Sequence, residues 1–366
     1  MGIVMGVAID KGQTEGELEL TVQMANPSGG ASKSSKGKSS GGSESESESK
    51  SYINVSGTGK NTNYIIREMQ HKMSRRIYVA HSEVIVISED VARDGVRDSL
   101  DFFARAAEAR MTVAVFVSKG KAKDILDKKP EFEKMPSVGL VKALKDQKIT
   151  SHTPIVTEFE FLNKLVSKTS AAVLPVVSEI DDDGKSRIDI SGCAVFKGSK
   201  MVGEMNEDEC RGLLYVQNKV KTGVMLLTVS DVSATVEIRH AKTRVKPTLY
   251  TDGTCRFDVE VDATIGLGDQ TGTFNLADPG NVGAMVGAAA DAIKGEIIGA
   301  VGKSKEQNAD VFGFGDSINR KYPDQWKKIS KNWDTLYRNI TVDVAVKAKA
   351  DGSGRIDEPI APVERA

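Results

Sequence analysis

Met111-Thr112-Val113-Ala114-Val115-Phe116-Val117 is a nearly unbroken apolar run, bounded by Arg110 before it and Ser118-Lys119-Gly120 after it. A strand with one wet face alternates apolar and polar residues, so a run without alternation predicts a strand covered on both faces. Such a strand needs helices above and below, and the neighbouring sequence supplies them. Upstream, residues 89–107 place Val96, Leu100 and Phe103 at helical spacing, and 62–75 do the same with Ile65, Ile66, Met69 and Met73. Downstream, 121–128, 137–148 and 157–168 read as helices. Strand signals at 77–80, 84–87 and 173–177 complete the alternation. The economical arrangement for residues 1–180 is a mixed sheet with helices packed on it.

The chain opens in another strand, Ile3-Val4-Met5-Gly6-Val7-Ala8-Ile9, which stops at the turn Asp10-Lys11-Gly12. Residues 18–24 follow with Leu18, Leu20, Val22 and Met24 on one face and Glu19, Thr21 and Gln23 on the other. No basic n-region or cleavage site precedes them, and Gly6 stands where a myristoylation signal wants Ser or Thr. A start inside a strand leads us to expect a segment upstream. Residues 28–51 then consist of eleven Ser, five Gly, four Lys, three Glu and one Ala. Without a larger apolar side chain this stretch cannot offset its ordering entropy, and it is expected to be a mobile insertion.

Asp181-Asp182-Asp183-Gly184-Lys185 marks the end of the first region. Beyond it, strands at 187–196 and 200–203 and a small helix at 208–216 form a middle subdomain, 186–225. Strands at 224–229, 234–245 and 256–265 begin the last region, 226–366. Asp278-Pro279 opens a helix in which Val282, Met285, Val286, Ala289, Ile293, Ile297 and Val301 recur at helical spacing. Its Gly283 and Gly287 predict close packing against a sheet; membrane dimerisation is the weaker reading, because charges interrupt the run. A further helix from Pro323 carries Trp326, Ile329, Trp333, Leu336 and Ile340 on one stripe and leads to a strand at 341–347. That stripe is expected to pack on the C-terminal sheet, with docking on a partner as the alternative. The fold class is therefore α+β and multi-domain: a mixed α/β N-terminal domain (1–180), then an antiparallel sheet with helices.

Composition narrows the function. Lys+Arg 50 against Asp+Glu 51 gives a net charge of -1, and aromatics are 5%, so neither a basic stripe nor a stacking platform points to nucleic acid. No run of 18 uncharged apolar residues predicts a membrane span. Cys193, Cys210 and Cys255 read as small buried hydrophobes, with a Cys193–Cys210 bridge as the alternative. His71, His81, His152 and His240 stand at no metal-binding spacing. Ser56-Gly57-Thr58-Gly59-Lys60-Asn61 falls short of a phosphate loop: Asn54 occupies the first glycine position and Asn61 lacks the metal-binding hydroxyl. It reads instead as a turn into the helix near Thr62. The 181–185 acids lack the glycine and glutamate positions of a calcium loop, and Gly266-Leu267-Gly268 lacks a strand–helix setting for a dinucleotide. No catalytic, cofactor-binding or metal residue is assigned.

Several stretches nevertheless carry a resemblance. Gly6-Val7-Ala8-Ile9-Asp10-Lys11-Gly12, the 56–60 segment, His81 before Val84-Ile85-Val86-Ile87-Ser88, and 116–126 fit the first half of the Ger(x)C proteins. Ser191-Gly192-Cys193-Ala194-Val195-Phe196-Lys197-Gly198 and Arg211-Gly212-Leu213-Leu214 fit the second half. The most specific match is Ala309-Asp310-Val311-Phe312-Gly313-Phe314-Gly315, continued by Arg320-Lys321-Tyr322-Pro323 and Trp326. The chain thus resembles the C subunits of the nutrient germinant receptors of spore-forming bacteria. That resemblance implies a non-enzymatic lipoprotein with no cofactor, working with integral-membrane A-type and B-type subunits. It implies an N-terminal diacylglyceryl cysteine on the outer face of the spore inner membrane. The lipidated cysteine is not in this sequence, and the 28–51 insertion is richer than a minimal connection. Two other classes remain in view: a surface adhesin or scaffold outside signalling, and an enzyme whose pocket the fold alone would assemble.

Deleting residues 30–49 should leave the fold intact and relieve a few tenths of a kcal/mol of closure entropy, roughly. Thermal melting checks this; a loss of more than a few degrees would mean that the segment packs.

Overall fold

The computed structural model describes residues 1–27, 50–128, 130–229, 232–272 and 274–351. Most of the Ser-rich insertion, residues 28–49, lies outside the described residues. Contacts gather the chain into two units. Met1–Ala143, Thr157–Phe159 and Val177–Asp189 form the first; Leu144–Val156, Glu160–Val176 and Ile190–Ala366 form the second. In this division residues 190–225 belong with those beyond 226.

In the first unit β1 (Gly2–Lys11) pairs antiparallel with β2 (Leu18–Ala25), and β2 with β3 (Tyr52–Gly59). The chain continues through α1 (Thr62–His71), β4 (Ile77–Tyr78), β5 (Val84–Ser88), α2 (Glu89–Asp94), α3 (Arg97–Arg105) and β6 (Ala114–Ser118). It then enters α4 (Ala122–Asp127), α5 (Pro136–Thr150) and α6 (Glu158–Leu165); of the last two, the residues from Leu144 on in α5 and from Glu160 on in α6 belong to the second unit. β5 lies parallel to both β1 and β6, which gives the order β3-β2-β1-β5-β6. Val84–Ile87 and Val115–Val117 are accordingly buried on both faces.

Polar groups fix the corners of this unit. Asn61 caps α1 by accepting from the Tyr64 N–H at 2.9 Å. The turn expected over 56–60 is corrected: Ser56–Gly59 are the end of β3, paired with Leu18–Thr21 of β2, and the chain turns only at Lys60-Asn61. Asp10, buried at the end of β1, accepts from the Ala122 and Lys123 N–H groups at 2.8 and 2.9 Å. It thereby caps α4, joining two of the stretches that carried the resemblance. The single helix expected over 89–107 is broken at Gly95, whose φ of 129° leaves the helical region.

β7 (Ala172–Asp182) and β8 (Lys185–Lys197) contribute residues to both units. The acidic 181–185 stretch is the turn between them, with the Gly184 N–H donating to Asp181 at 2.7 Å. In the second unit, β8 pairs with β9 (Lys200–Met205). There follow α7 (Glu207–Val216), β10 (Gly223–Val229), β11 (Val232–Leu249), β12 (Cys255–Thr271) and α8 (Val282–Glu306). The chain ends its described part with α9 (Phe314–Lys321), α10 (Pro323–Ile329), α11 (Trp333–Arg338) and β13 (Thr341–Ala350). The last sheet has the order β10-β11-β12-β13. β10, β11 and β12 are antiparallel, whereas β13 returns parallel to β12 after the helices.

α8 buries Met285, Ala289, Ile293, Ile297 and Val301 in the same core as Val236, Val259, Val261 and Ile265 of the sheet. A fully buried side chain of the larger kinds contributes about 1.5–3 kcal/mol. The other sheet face is wet, with Lys242, Asp262 and Lys347 in register across it. Two expectations for α8 are corrected. The helix starts at Val282, because Asp278 instead accepts from the Gly280 N–H in a preceding turn. Gly283 and Gly287 do not pack on the sheet: a Cβ built on either meets nothing within 4 Å. Cys193, Cys210 and Cys255 are buried free thiols, without the alternative bridge.

Glu158 opens α6 fully buried, and neither carboxyl oxygen has a hydrogen-bond partner among the described residues. Burial pushes its pKa from 4.5 up to about 7. The folded state therefore holds this proton longer than the unfolded chain does. Stability should fall by about 3 kcal/mol as pH rises from the unfolded value through 7, and level off above. Denaturant titration should show a smaller fall in Glu158→Gln than in the parent, with the difference greatest between about pH 6 and 7, above the range in which Asp310 titrates.

Candidate functional site

The stretch with the most specific sequence pattern forms a knot at the end of α8. After Asn308, which takes a left-handed φ of 49°, Asp310 is carried into the core at 6% exposure. One carboxylate oxygen accepts from the Phe314 N–H at 2.9 Å and the other from Gly315 at 2.7 Å. The second oxygen also accepts from the Trp333 Nε1–H at 3.3 Å. The carboxylate thus satisfies the first free N–H groups of α9 and ties α11 to them. Burial outweighs these three donors and pushes the Asp310 pKa up to about 6.

The glycines around it are required by geometry. Gly313 has φ 73°, the left-handed region open to glycine at little cost. A Cβ on Gly315 would lie 2.9 Å from Trp333 Nε1 and 3.1 Å from the Trp326 ring, so only glycine admits both indoles. Phe314 is turned inward and stacks on Phe257 of β12, with ring centroids 4.2 Å apart. Trp326 and Trp333 meet edge to face at 5.2 Å. Tyr337 hydrogen-bonds the Ser304 hydroxyl of α8. The aromatic stripe is therefore core, as expected, with Ile329 and Leu336 partly buried beside it. It is not one helix: Ser330–Asn332 tighten into a 3-10 turn, which changes the phase of the residues after it.

Two clefts flank the knot and share Phe312 as a wall. One, of about 570 Å³, is lined by Phe161, Lys164, Ser170, Lys219, Phe312 and Asp316. Asp316 accepts from Ser170 Oγ at 3.0 Å and from the Thr169 hydroxyl, and Lys164 Nζ lies 3.8 Å away. Lys164 also donates to Ser170 at 2.9 Å. Ser170 thus accepts from the Lys164 ammonium and donates to the Asp316 carboxylate, which closes the three groups into one hydrogen-bonded cluster. The other cleft, of about 400 Å³, is lined by Val245, Pro247, Phe312, Phe314 and Arg320. Lys321 closes one side by donating to the Pro247 carbonyl at 2.7 Å.

Arg211-Gly212, the other pattern singled out in the second half, forms a second lock. Arg211 is 4% exposed and makes a two-pronged pair with Glu296 of α8 at 2.8 and 2.5 Å. It also donates to the Val224 carbonyl at 2.9 Å, and His152 Nε2 lies 2.5 Å from Nη1. Burial, then the guanidinium, hold the His152 pKa below its usual value. Gly212 allows the two helices to touch: a Cβ there would lie 2.1 Å from the Glu296 carbonyl oxygen. Among the described residues no three His, Cys, Asp or Glu side chains gather as metal ligands. Asp310, Glu296 and Glu158 were not singled out for these roles in the sequence. For Asp310 the available signal was its spacing to Gly313 and Gly315.

Comparison with known proteins places these features. Residues 1–179 match the family described as "Spore germination protein N-terminal domain", and residues 191–354 match "Spore germination B3/ GerAC like, C-terminal". Spore germination protein YndF of Bacillus subtilis is 28% identical, over 97% of this chain and 91% of the relative. Spore germination protein KC of the same organism is also 28% identical, over 82% of this chain and 79% of the relative. The crystal structure of the GerBC protein aligns with TM-score 0.58 at 20% identity, covering 96% of this chain and 98% of that one, which supports a common fold.

Trp333→Ala should cost about 3–5 kcal/mol through the cavity it leaves. Asp310→Asn turns an amide N–H toward backbone donors and should cost about 3 kcal/mol. Chemical denaturation of the two variants checks both values; a Trp333→Ala protein that unfolds like the parent would show that the stripe does not hold the core.

Proposed function

Because the chain belongs to the Ger(x)C family of spore germination proteins, we propose that it is the C-type subunit of a nutrient germinant receptor, contributing binding surfaces rather than catalysis. The observation that carries this reading is the ordered match of both halves, residues 1–179 and 191–354, to spore germination domains. The knot around Asp310 supports it, since the stretch with the strongest likeness is engaged in building a rigid body. The polar groups beside it answer one another as ion pairs and caps.

Its partners in this reading are integral-membrane A-type and B-type subunits, and its place is the outer face of the spore inner membrane. No helix among the described residues is long and apolar enough to cross a membrane; in this reading attachment is by an N-terminal lipid. Cys193, Cys210 and Cys255 are buried and do not serve as its acceptor. Two acyl chains give stable anchoring where one is marginal.

A tagged, lipid-anchored copy purified from spore membranes should bring down two multi-span subunits; recovery without them would remove the receptor reading. The chain as given should stay behind in a liposome flotation gradient, while a copy with its lipidation signal should float. Flotation of both would end the idea that the lipid alone anchors it.

A further inference from the structure

The two edges of the C-terminal sheet are treated differently. β13 ends the sheet with Asp343, Lys347 and Lys349 exposed, the kind of charge that discourages further pairing. β10, at the other edge, reads Gly-Val-Met-Leu-Leu-Thr-Val and carries no charge and no proline. Leu226 is 76% exposed and Val224 39%. The Val224 carbonyl is turned away from β11 to meet Arg211. With the two-residue period of a strand, the N–H and C=O groups of Leu226 and Thr228 point out of the same edge. Neither residue has a hydrogen bond outside the strand ladder among the described residues.

Beside this edge runs a groove of about 640 Å³, walled by Ala292, Gly295 and Gly299 of α8. A Cβ on Gly295 would meet nothing within 4 Å, so there is room for another chain. The mouth of the groove at the Val224 end carries Asp208 and Glu209. Arg211 pairs with Glu296 and also lies 3.4 Å from Asp208; one guanidinium against the three carboxylates of Asp208, Glu209 and Glu296 leaves that mouth net negative.

We propose that the outer edge of β10 takes up an extended segment of a different protein by strand addition. The segment adds roughly four residues to the sheet, places apolar side chains beside Val224 and Leu226, and carries Lys or Arg at the end next to Asp208. A second copy of this chain fits less well. In a two-fold β10–β10 pairing, Asp208 and Glu209 would face the Thr228–Val229 end of the other copy, where the strand itself carries no cation. This inference does not depend on the receptor reading.

The test uses the full chain and a fluorescein-labelled peptide, Lys-Thr-Val-Thr-Val-Thr-Lys, blocked at both ends so that either strand direction presents a cation. Fluorescence polarisation should show saturable binding. Leu226→Lys, an exposed change that should leave the melting temperature unaltered, should weaken it by about tenfold or more. Thr228→Lys should do the same and replaces it should Leu226→Lys melt early. A peptide with Glu in place of both Lys should also bind about tenfold more weakly. The proposal is overturned by absence of binding to the parent, by equal binding of a folded Lys variant, or by equal binding of the Glu peptide. It is likewise overturned if sedimentation shows a parent dimer that Leu226→Lys converts to monomer, since the edge would then belong to a second copy.

Discussion

One buried carboxylate organises the C-terminal half. Asp310 accepts from two successive backbone N–H groups at the start of α9 and from the indole of Trp333, 23 residues on. A carboxylate at 6% exposure is costly to bury, and the three donors compensate for that only in this arrangement. Any alternative packing of α9 or α11 would orphan the charge, so the group selects among conformations as well as stabilising one. Once it is in place, Phe314 is directed onto Phe257, Gly315 lies under both indoles, and Phe312 and Asp316 are left at the walls of two clefts.

Periodicity made much of this legible. The apolar stripe of α8, the Trp326–Trp333 stripe, the doubly covered strand β6 and the start of α1 at Thr62 all follow from local pattern. What local pattern could not convey was the far side of each element. The spacing of α8 identifies its buried face, but the opposite face is defined by what approaches it, and nothing approaches Gly283 or Gly287. Glu158 reads as an ordinary acid at a helix start, favoured there by the dipole; its complete burial depends on contacts distant in sequence. The parallel return of β13 is likewise topological, set by where α8 to α11 deliver the chain.

Candidate-site residues were legible as motifs and illegible as roles. Ala309–Gly315 and Arg211-Gly212 were recognisable by residue identity, yet the sequence does not say that Asp310 caps a helix that begins four residues later. Nor does it say that Arg211 is matched by Glu296, 85 residues away. Both arrangements use the same device: a charged group inside the core paired with donors or acceptors from a distant segment, next to a glycine whose missing Cβ admits the partner. That device explains why these stretches combine small and charged residues without resembling any catalytic pattern.

The same logic bears on where function can reside. Within the knot and the Arg211 lock each charged group is already answered: Asp310 by three donors, Glu296 by a guanidinium, Asp316 by Lys164 and two hydroxyls. Groups so engaged are poor candidates for chemistry, because recruiting one would unpair another in a low-dielectric setting. What the second unit leaves available is backbone and shape: the outer groups of Leu226 and Thr228, and clefts whose walls the buried carboxylate holds still. A protein built this way is suited to hold a partner in a fixed orientation. The rigidity that its charged core imposes is then what turns an otherwise ordinary sheet edge into a specific surface.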